Sequence, residues 1–111
     1  MIDPKIVQEV NLLHKRVCSA LGDPKRLLIL YALEQGPLCV NELVDALQLT
    51  QPTVSRHLRV LRERELVHTE RRGTAIFYSL ADRRLLAAVD LLRAVLQAQM
   101  AADAEVAQAL A

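Results

Sequence analysis

Residues 37–80 read PLCVNELVDALQLTQPTVSRHLRVLRERELVHTERRGTAIFYSL. Leu43, Val44 and Leu47 fall on one helical face, so a helix of about Val40–Leu47 is expected. Gln48 and Leu49 then lead to Thr50, a good N-cap, and Val54, Leu58 and Leu61 mark the buried face of a second helix. Two helices joined by a three- to four-residue turn have the spacing of a helix-turn-helix. After Leu66 the period changes. Val67–Arg72 and Ala75–Leu80 flank Gly73-Thr74 and carry β-branched and aromatic residues, a hairpin with Ile76, Tyr78 and Leu80 expected inward. A helix-turn-helix followed at once by a two-stranded wing is the winged-helix arrangement. In it the second helix of the pair can enter a DNA major groove.

The flanking sequence extends this unit at both ends. Asp3-Pro4 is a helix start, and Ile6, Val10, Leu13, Val17 and Leu21 form a helical stripe that stops at Gly22. Asp23-Pro24 repeats the start signal, and the short apolar helix after it ends at Gly36-Pro37. A last helix runs from Asp82, with Leu85, Val89, Leu92 and Leu96 on one face and Leu86, Leu91 and Val95 on a second. A terminal helix apolar on two faces needs a partner beyond its own small core. The alanine-rich tail from Ala98 onward is expected to continue as helix.

Composition agrees. Leucine and alanine supply 36 of 111 residues, with three glycines and four prolines, which favours helix over turn-rich β architecture. The expectation is one mainly α domain over 1–111, with a two-stranded wing and with residues 4–21 and 82–110 as dimerisation elements. The longest unbroken apolar run, Leu27 to Leu33, has seven residues, so no membrane association is expected. Two cysteines 21 residues apart are not a disulfide framework, and no export signal opens the chain. A cytoplasmic protein is expected. No paired carboxylates in a glycine-rich cleft, nucleophile elbow or phosphate loop appears, and no enzymatic activity is expected.

The formal net charge is only +1, but residues 51–72 hold six arginines against three glutamates. A basic segment in a nearly neutral chain is the footprint of a polyanion-binding face. On a helical wheel Pro52, Arg56, Arg59 and Glu63 oppose the apolar stripe, with Gln51, Thr53 and Ser55 at the N-terminal end and flanks. Arginine pairs bidentately with guanine and glutamine with adenine, and Ser or Thr suits base edges or phosphates. His57 lies beside the apolar stripe, either half-packed or touching phosphate. Arg71 and Arg72 sit at the wing tip, within reach of phosphate or a minor groove. The candidate DNA contacts are therefore Gln51, Thr53, Ser55, Arg56, His57, Arg59, Arg71 and Arg72, and the partner is double-stranded DNA. The alternative is a winged helix that serves only protein interaction. Outward arginines on both helix and wing favour DNA.

ALGDPKRLLIL (20–30), PLCVNELVDAL (37–47), TQPTVSRHLRVLRE (50–63) and RRGTAIFYSL (71–80) resemble, in order and spacing, the ArsR/SmtB family of winged-helix repressors. The likeness covers roughly residues 12–97. It implies a homodimer built on the first and last helices, a repressor released from DNA by a metal, metalloid or thiol signal, and a helix over residues 50–63 that reads DNA; a two-fold dimer in turn predicts a palindromic operator. The chain departs from the family at three places. The family's metal-binding C-V-C is here Cys39-Val40-Asn41. In the family's last-helix metal site only Asp82 matches, and Arg84, Val95 and Ala98 stand where other ligands would be, which excludes that zinc site. The usual Ala-Gly-Leu-Val after the recognition helix is Arg64-Glu65-Leu66-Val67. A left-handed Glu65 would cost about 1 kcal/mol or more relative to glycine, unless the helix ends differently.

Cys39 falls at or just before a helix start, where free amides and the helix dipole favour thiolate. His14 and Cys18 stand four residues apart on the first helix and share a face. Two chemistries stay open. His14, Cys18 and Cys39 can supply three ligands to a thiophilic metal or metalloid ion. Alternatively, Cys39 and Cys18 form a dithiol switch oxidised by peroxide or persulfide. Against both stands simple packing, since free cysteine often behaves as a small hydrophobe.

Overall fold

The computed structural model describes residues 1–111. Helix α1, residues 4–21, is α-helical over Pro4–Leu13, π-helical over His14–Cys18 and α-helical again over Ser19–Leu21. Helix α2 is Pro24–Ala32, closed by the 3-10 turn Leu33–Gln35. Strand β1, Leu38–Cys39, leads into α3, Val40–Leu47, and α4, Gln51–Glu63. The wing is β2, Val67–Arg72, and β3, Ala75–Leu80, and the chain closes with α5, Arg84–Leu110. Asp3 and Asp23 cap α1 and α2 by accepting the Lys5 and Lys25 N–H groups at 2.9 and 2.8 Å, each with a proline in the first turn.

The expected two-stranded wing is the larger part of a three-stranded antiparallel sheet of order β1-β3-β2. Leu38 lies opposite Tyr78 and Cys39 opposite Phe77. A two-residue strand carries no alternation of its own, and only its distant partner reveals it. Ile76, expected inward, is 42% exposed, because the wing runs out beyond the helices that would cover it.

The core is a single cluster. Ile29, Leu30 and Leu33 at the end of α2 meet Leu43 of α3, Val54, Leu58 and Leu61 of α4, then Leu66, Val67 and Leu86. The turn between α3 and α4 passes through Gln48 in the left-handed region, φ 54°. Helix α4 ends in the same region at Glu65, φ 61°. Leu66 N–H donates to the Leu61 carbonyl at 2.9 Å and Glu65 N–H to the Arg62 carbonyl at 3.0 Å, the paired bonds of a Schellman cap. Leu61 and Leu66 are both buried, which supplies the apolar contact this cap commonly carries. The strain foreseen for Glu65 is therefore present.

The terminal helices are not covered by this core. Of the α1 stripe only Val17 and Leu21 pack against it, and Ile6, Val10 and Leu13 are about half exposed. On α5, Leu86 and Val89 are buried, while Leu91, Leu92, Val95 and Leu96 each expose more than half their surface. The radius of gyration is 17.5 Å, against about 13 Å for a compact chain of this length. The accessible surface is 8269 Å², against about 6,100 Å² for a folded monomer of this mass. The excess lies on long helices with unpartnered apolar faces. By length and composition α5, with 27 residues, is also apolar enough to cross a membrane. Counting unbroken runs misses this because Asp90, Arg93, Gln97 and Gln99 break every run while the leucines keep the average high. The helix is tied to the folded unit by Leu86 and Val89 and by Asp90, which accepts the Tyr31 hydroxyl of α2 at 2.5 Å.

Glycine removes the Cβ clash at Glu65 and loses some of that gain to its freer unfolded chain. Glu65→Gly is expected to stabilise the fold by about 0.5–1 kcal/mol and raise the melting temperature by a few degrees. Thermal denaturation followed by circular dichroism checks this, and an unchanged or lower midpoint contradicts it.

Candidate nucleic-acid interface and thiol site

Helix α4 is held by one face. Val54, Leu58 and Leu61 are 0–1% exposed, so the residues opposite them must face solvent. Thr50 caps the helix: its Oγ1 accepts the Thr53 N–H at 3.4 Å and its hydroxyl donates to Thr53 Oγ1 at 2.8 Å. Gln51, Arg56 and Arg59 are exposed, as are Pro52, Arg62 and Glu63, while Thr53 and Ser55 are half-buried. Arg62 is a further exposed cation, about 120° round the helix from Arg56 and beside β2.

His57 is a correction. It is 5% exposed and faces inward, where Arg26 Nη1 lies 3.3 Å from its Nδ1. A phosphate contact from this side chain is excluded by its burial. The wheel places it about 60° from the core direction. A residue there goes whichever way its neighbours allow, and the half-buried Arg26 of α2 drew it in.

The wing turns at Gly73, φ 61°, with Arg72 paired opposite Ala75. Arg71 is exposed. Arg72 lies on the other face of its strand, 3.1 Å from Glu70 and with its guanidinium 4.8 Å from the Phe77 ring centre. The three ion pairs of the structure involve Arg72, Arg84 and Arg93, so Arg56, Arg59, Arg62 and Arg71 have no carboxylate partner. Unpaired arginines on one rigid helix and on the wing are the arrangement that binds a phosphate backbone and reads base edges.

Cys39 is the N-cap of α3. Its thiol accepts from the Glu42 N–H, and Glu42 Oε1 accepts the Cys39 N–H at 3.1 Å, a capping box with cysteine in the place of Ser or Thr. Bonds from the Cys39 backbone N–H, then from its thiol, hold the Glu42 carboxyl below its ordinary range. Cys39 also lines a cavity of about 390 Å³ shared with Gln51 at the start of α4 and with Thr74, Ala75, Ile76 and Tyr78 of the wing. One thiol thus borders both elements that carry the free arginines.

His14 and Cys18 both lie exposed on the π-helical turn of α1, so Cys18 is not a core residue. Both cysteines are free thiols. The structure does not bring His14, Cys18 and Cys39 together: no group of three or more His, Cys, Asp or Glu side chains within the chain is placed to hold a metal ion. A three-ligand site therefore cannot assemble inside one chain in this form. Asp82 is also committed. Its carboxylate accepts from Arg84 Nη2 at 2.7 Å, Nε at 3.1 Å and the backbone N–H at 2.9 Å, and the Arg84 guanidinium holds it at a pKa of about 2.

Residues 23–69 match the family described as bacterial regulatory protein, arsR family. An uncharacterised HTH-type transcriptional regulator of Methanocaldococcus jannaschii is 39% identical over 77 residues, which cover 68% of this chain and 86% of that protein. The chain belongs to the arsR family. The HTH-type transcriptional repressor SmtB of Mycobacterium tuberculosis is 46% identical over 66 residues, covering 60% of this chain and 49% of that protein. The arsR-family chain thus spans about half the length of some curated relatives. A homodimeric winged helix-turn-helix DNA-binding domain from Mycobacterium bovis, solved in solution, superposes with a TM-score of 0.70 at 29% identity, covering 87% of this chain and 88% of that one. The winged-helix fold is thereby established, and the arsR family is one of transcriptional regulators, not of enzymes.

Proposed function

We propose that this arsR-family protein is a homodimeric, cytoplasmic transcriptional repressor that reads a palindromic DNA operator and releases it when Cys39 reacts. The whole chain acts as one winged-helix unit, with residues 4–21 and 82–110 pairing it to a second copy. Gln51, Arg56 and Arg59 of α4 read base edges, Thr53 and Ser55 support the helix start on phosphate, and Arg71 and Arg72 of the wing grip the backbone. The observation that carries this reading is the set of carboxylate-free arginines on the one face of α4 that the core leaves outward.

A second copy suits the exposed apolar faces of α1 and α5 better than lipid does. The α5 face is interrupted by the exposed Asp90 and Arg93, and Leu13 and Val17 of the α1 stripe line one groove with Leu85 and Ala88 of α5. The Mycobacterium bovis relative, described as homodimeric, supports the same assembly.

Cys39 is the residue assigned to sensing, with Cys18 as its partner and His14 as a further ligand if the signal is a thiophilic metal or metalloid. No complete set exists within one chain, so a metal would need ligands drawn from two chains or a rearranged α1. Whatever adds to Cys39 removes the thiol from its capping box and enters the cavity between α4 and the wing. A coupling of about 1–3 kcal/mol between that event and DNA changes affinity about 5- to 150-fold.

Three outcomes are expected. Sedimentation at micromolar concentration gives a species of twice the 12.4 kDa chain mass, and a monomer there refutes the pairing. On a palindromic duplex with half-sites roughly 34 Å apart, Arg56→Ala costs about 1–3 kcal/mol and relaxes sequence preference. Arg71→Ala lowers the salt slope by about 1 without changing preference, and Arg72→Ala does less because Glu70 already offsets its charge. Equal operator affinity for Arg56→Ala and parent would mean that another face reads DNA. Finally, Cys39→Ser keeps DNA affinity, since serine is a preferred N-cap, and loses the response to thiophilic metals and thiol oxidants. Titrating operator-bound Cys39→Ser with each inducer class decides it: release at the parent's inducer concentration ends the assignment.

A further inference from the structure

Arg26, near the start of α2, makes contacts that lead in two directions. Its Nε donates to the Ala20 carbonyl at 2.5 Å and its Nη2 to the Ser19 carbonyl at 3.4 Å, both in the last turn of α1. Its Nη1 lies 3.3 Å from Nδ1 of His57, midway along α4. A guanidinium has donors and no acceptor, so Nδ1 must accept, the proton must sit on Nε2, and the ring must be neutral. His57 is the one polar side chain among the buried residues. A second tie joins the same two helices: Arg64 at the end of α4 donates to the Lys15 carbonyl in the π-helical turn of α1.

We propose that Arg26 is a positioning residue that holds the DNA-reading helix in register with the terminal helix α1, and that protonation of His57 breaks this hold and weakens operator binding. The proposal rests on the reading of α4 as the DNA-reading helix. Once protonated, both ring nitrogens of His57 are donors, and an Nδ1–H facing the guanidinium finds a second cation and no acceptor. The ring must then leave Arg26, and α4 shifts relative to α1 without turning its apolar face out of the core. The charged groups around the ring are Asp23, Lys25 and Arg26 of α2 and its cap, and Arg56 of α4 itself. Burial disfavours the charged ring most, Asp23 favours it, and Arg26, Arg56 and Lys25 disfavour it further, so His57 titrates below its ordinary value.

In the tied form His57 resists the proton, and in the released form it takes one near the ordinary histidine value of about 6.5. Operator affinity is therefore full at neutral pH and falls only once the pH drops below the lowered value of the tied ring, by up to about tenfold per pH unit for one linked proton. Simple electrostatic attraction to DNA would give the opposite slope, because acid adds positive charge.

The test uses the full chain and a palindromic duplex selected by the parent from a random pool. Long-range nitrogen–proton NMR of the free protein should show His57 as the Nε2–H tautomer at neutral pH. The parent should lose operator affinity on acidification. His57→Gln, whose side-chain oxygen accepts from Arg26 without titrating, should match the parent at neutral pH and lack the acid loss. If that variant does not fold, Arg26→Gln answers the same question: it should bind more weakly at neutral pH and show no acid step. An Nδ1–H tautomer, a His57→Gln protein that keeps the parent's acid loss, or an Arg26→Gln protein with both parent affinity and parent acid loss overturns the proposal. If the parent selects no duplex at any pH, the DNA reading of α4 fails and takes the proposal with it. The other outcomes reject the Arg26–His57 device alone.

Discussion

The burial of Val54, Leu58 and Leu61 against Ile29, Leu30 and Leu43 is the constraint on which the rest depends. Each of these side chains is at most 1% exposed, and burying one contributes about 1.5–3 kcal/mol. Rotating α4 about its axis would expose them together, so its azimuth is set. Everything outward follows from that azimuth: Arg56 and Arg59 face solvent because Val54 and Leu58 do not. The Schellman cap on Leu61 and Leu66 then turns the chain directly into β2, and the wing leaves the helix at a fixed place.

Elements specified by local signals were legible in the chain itself. Val40–Leu47 and the strands Val67–Arg72 and Ala75–Leu80 fall where periodicity and the Gly73 turn put them. The misreadings share one cause: the deciding partner lies far away in sequence. Strand β1 exists only because Tyr78 and Phe77 are opposite it. His57 goes inward because Arg26 waits there. Ile6, Val10 and Leu13 do form a helical stripe, but periodicity says that a face is apolar and not whose core it enters.

The candidate site divides in the same way. That α4 presents arginines is visible on a wheel. That those arginines lack carboxylate neighbours, while Arg72 has Glu70 and Phe77, needs coordinates. The position of Cys39 at a helix start was readable. Its capping box with Glu42 is local, but cysteine in the place of Ser or Thr hides the signature, and the cavity it shares with Gln51 and Thr74 depends on the wing folding back over α3. The spacing of His14 and Cys18 suggested a ligand pair, but spacing along one helix carries no information about a third ligand on another.

The π-helical turn at His14–Cys18 has a consequence of its own. Such a turn holds one residue more than the α-helix around it. It sets the phase between Val17 and Leu21, which pack on the core, and the stripe of Ile6, Val10 and Leu13 ahead of them. Losing that one residue would rotate the leading ten-residue segment by about 100° about its axis and leave α2 to β3 untouched. In the proposed homodimer, subunit geometry is thus adjustable by single-codon insertions and deletions, and evolution can retune how two copies meet without disturbing the module that follows.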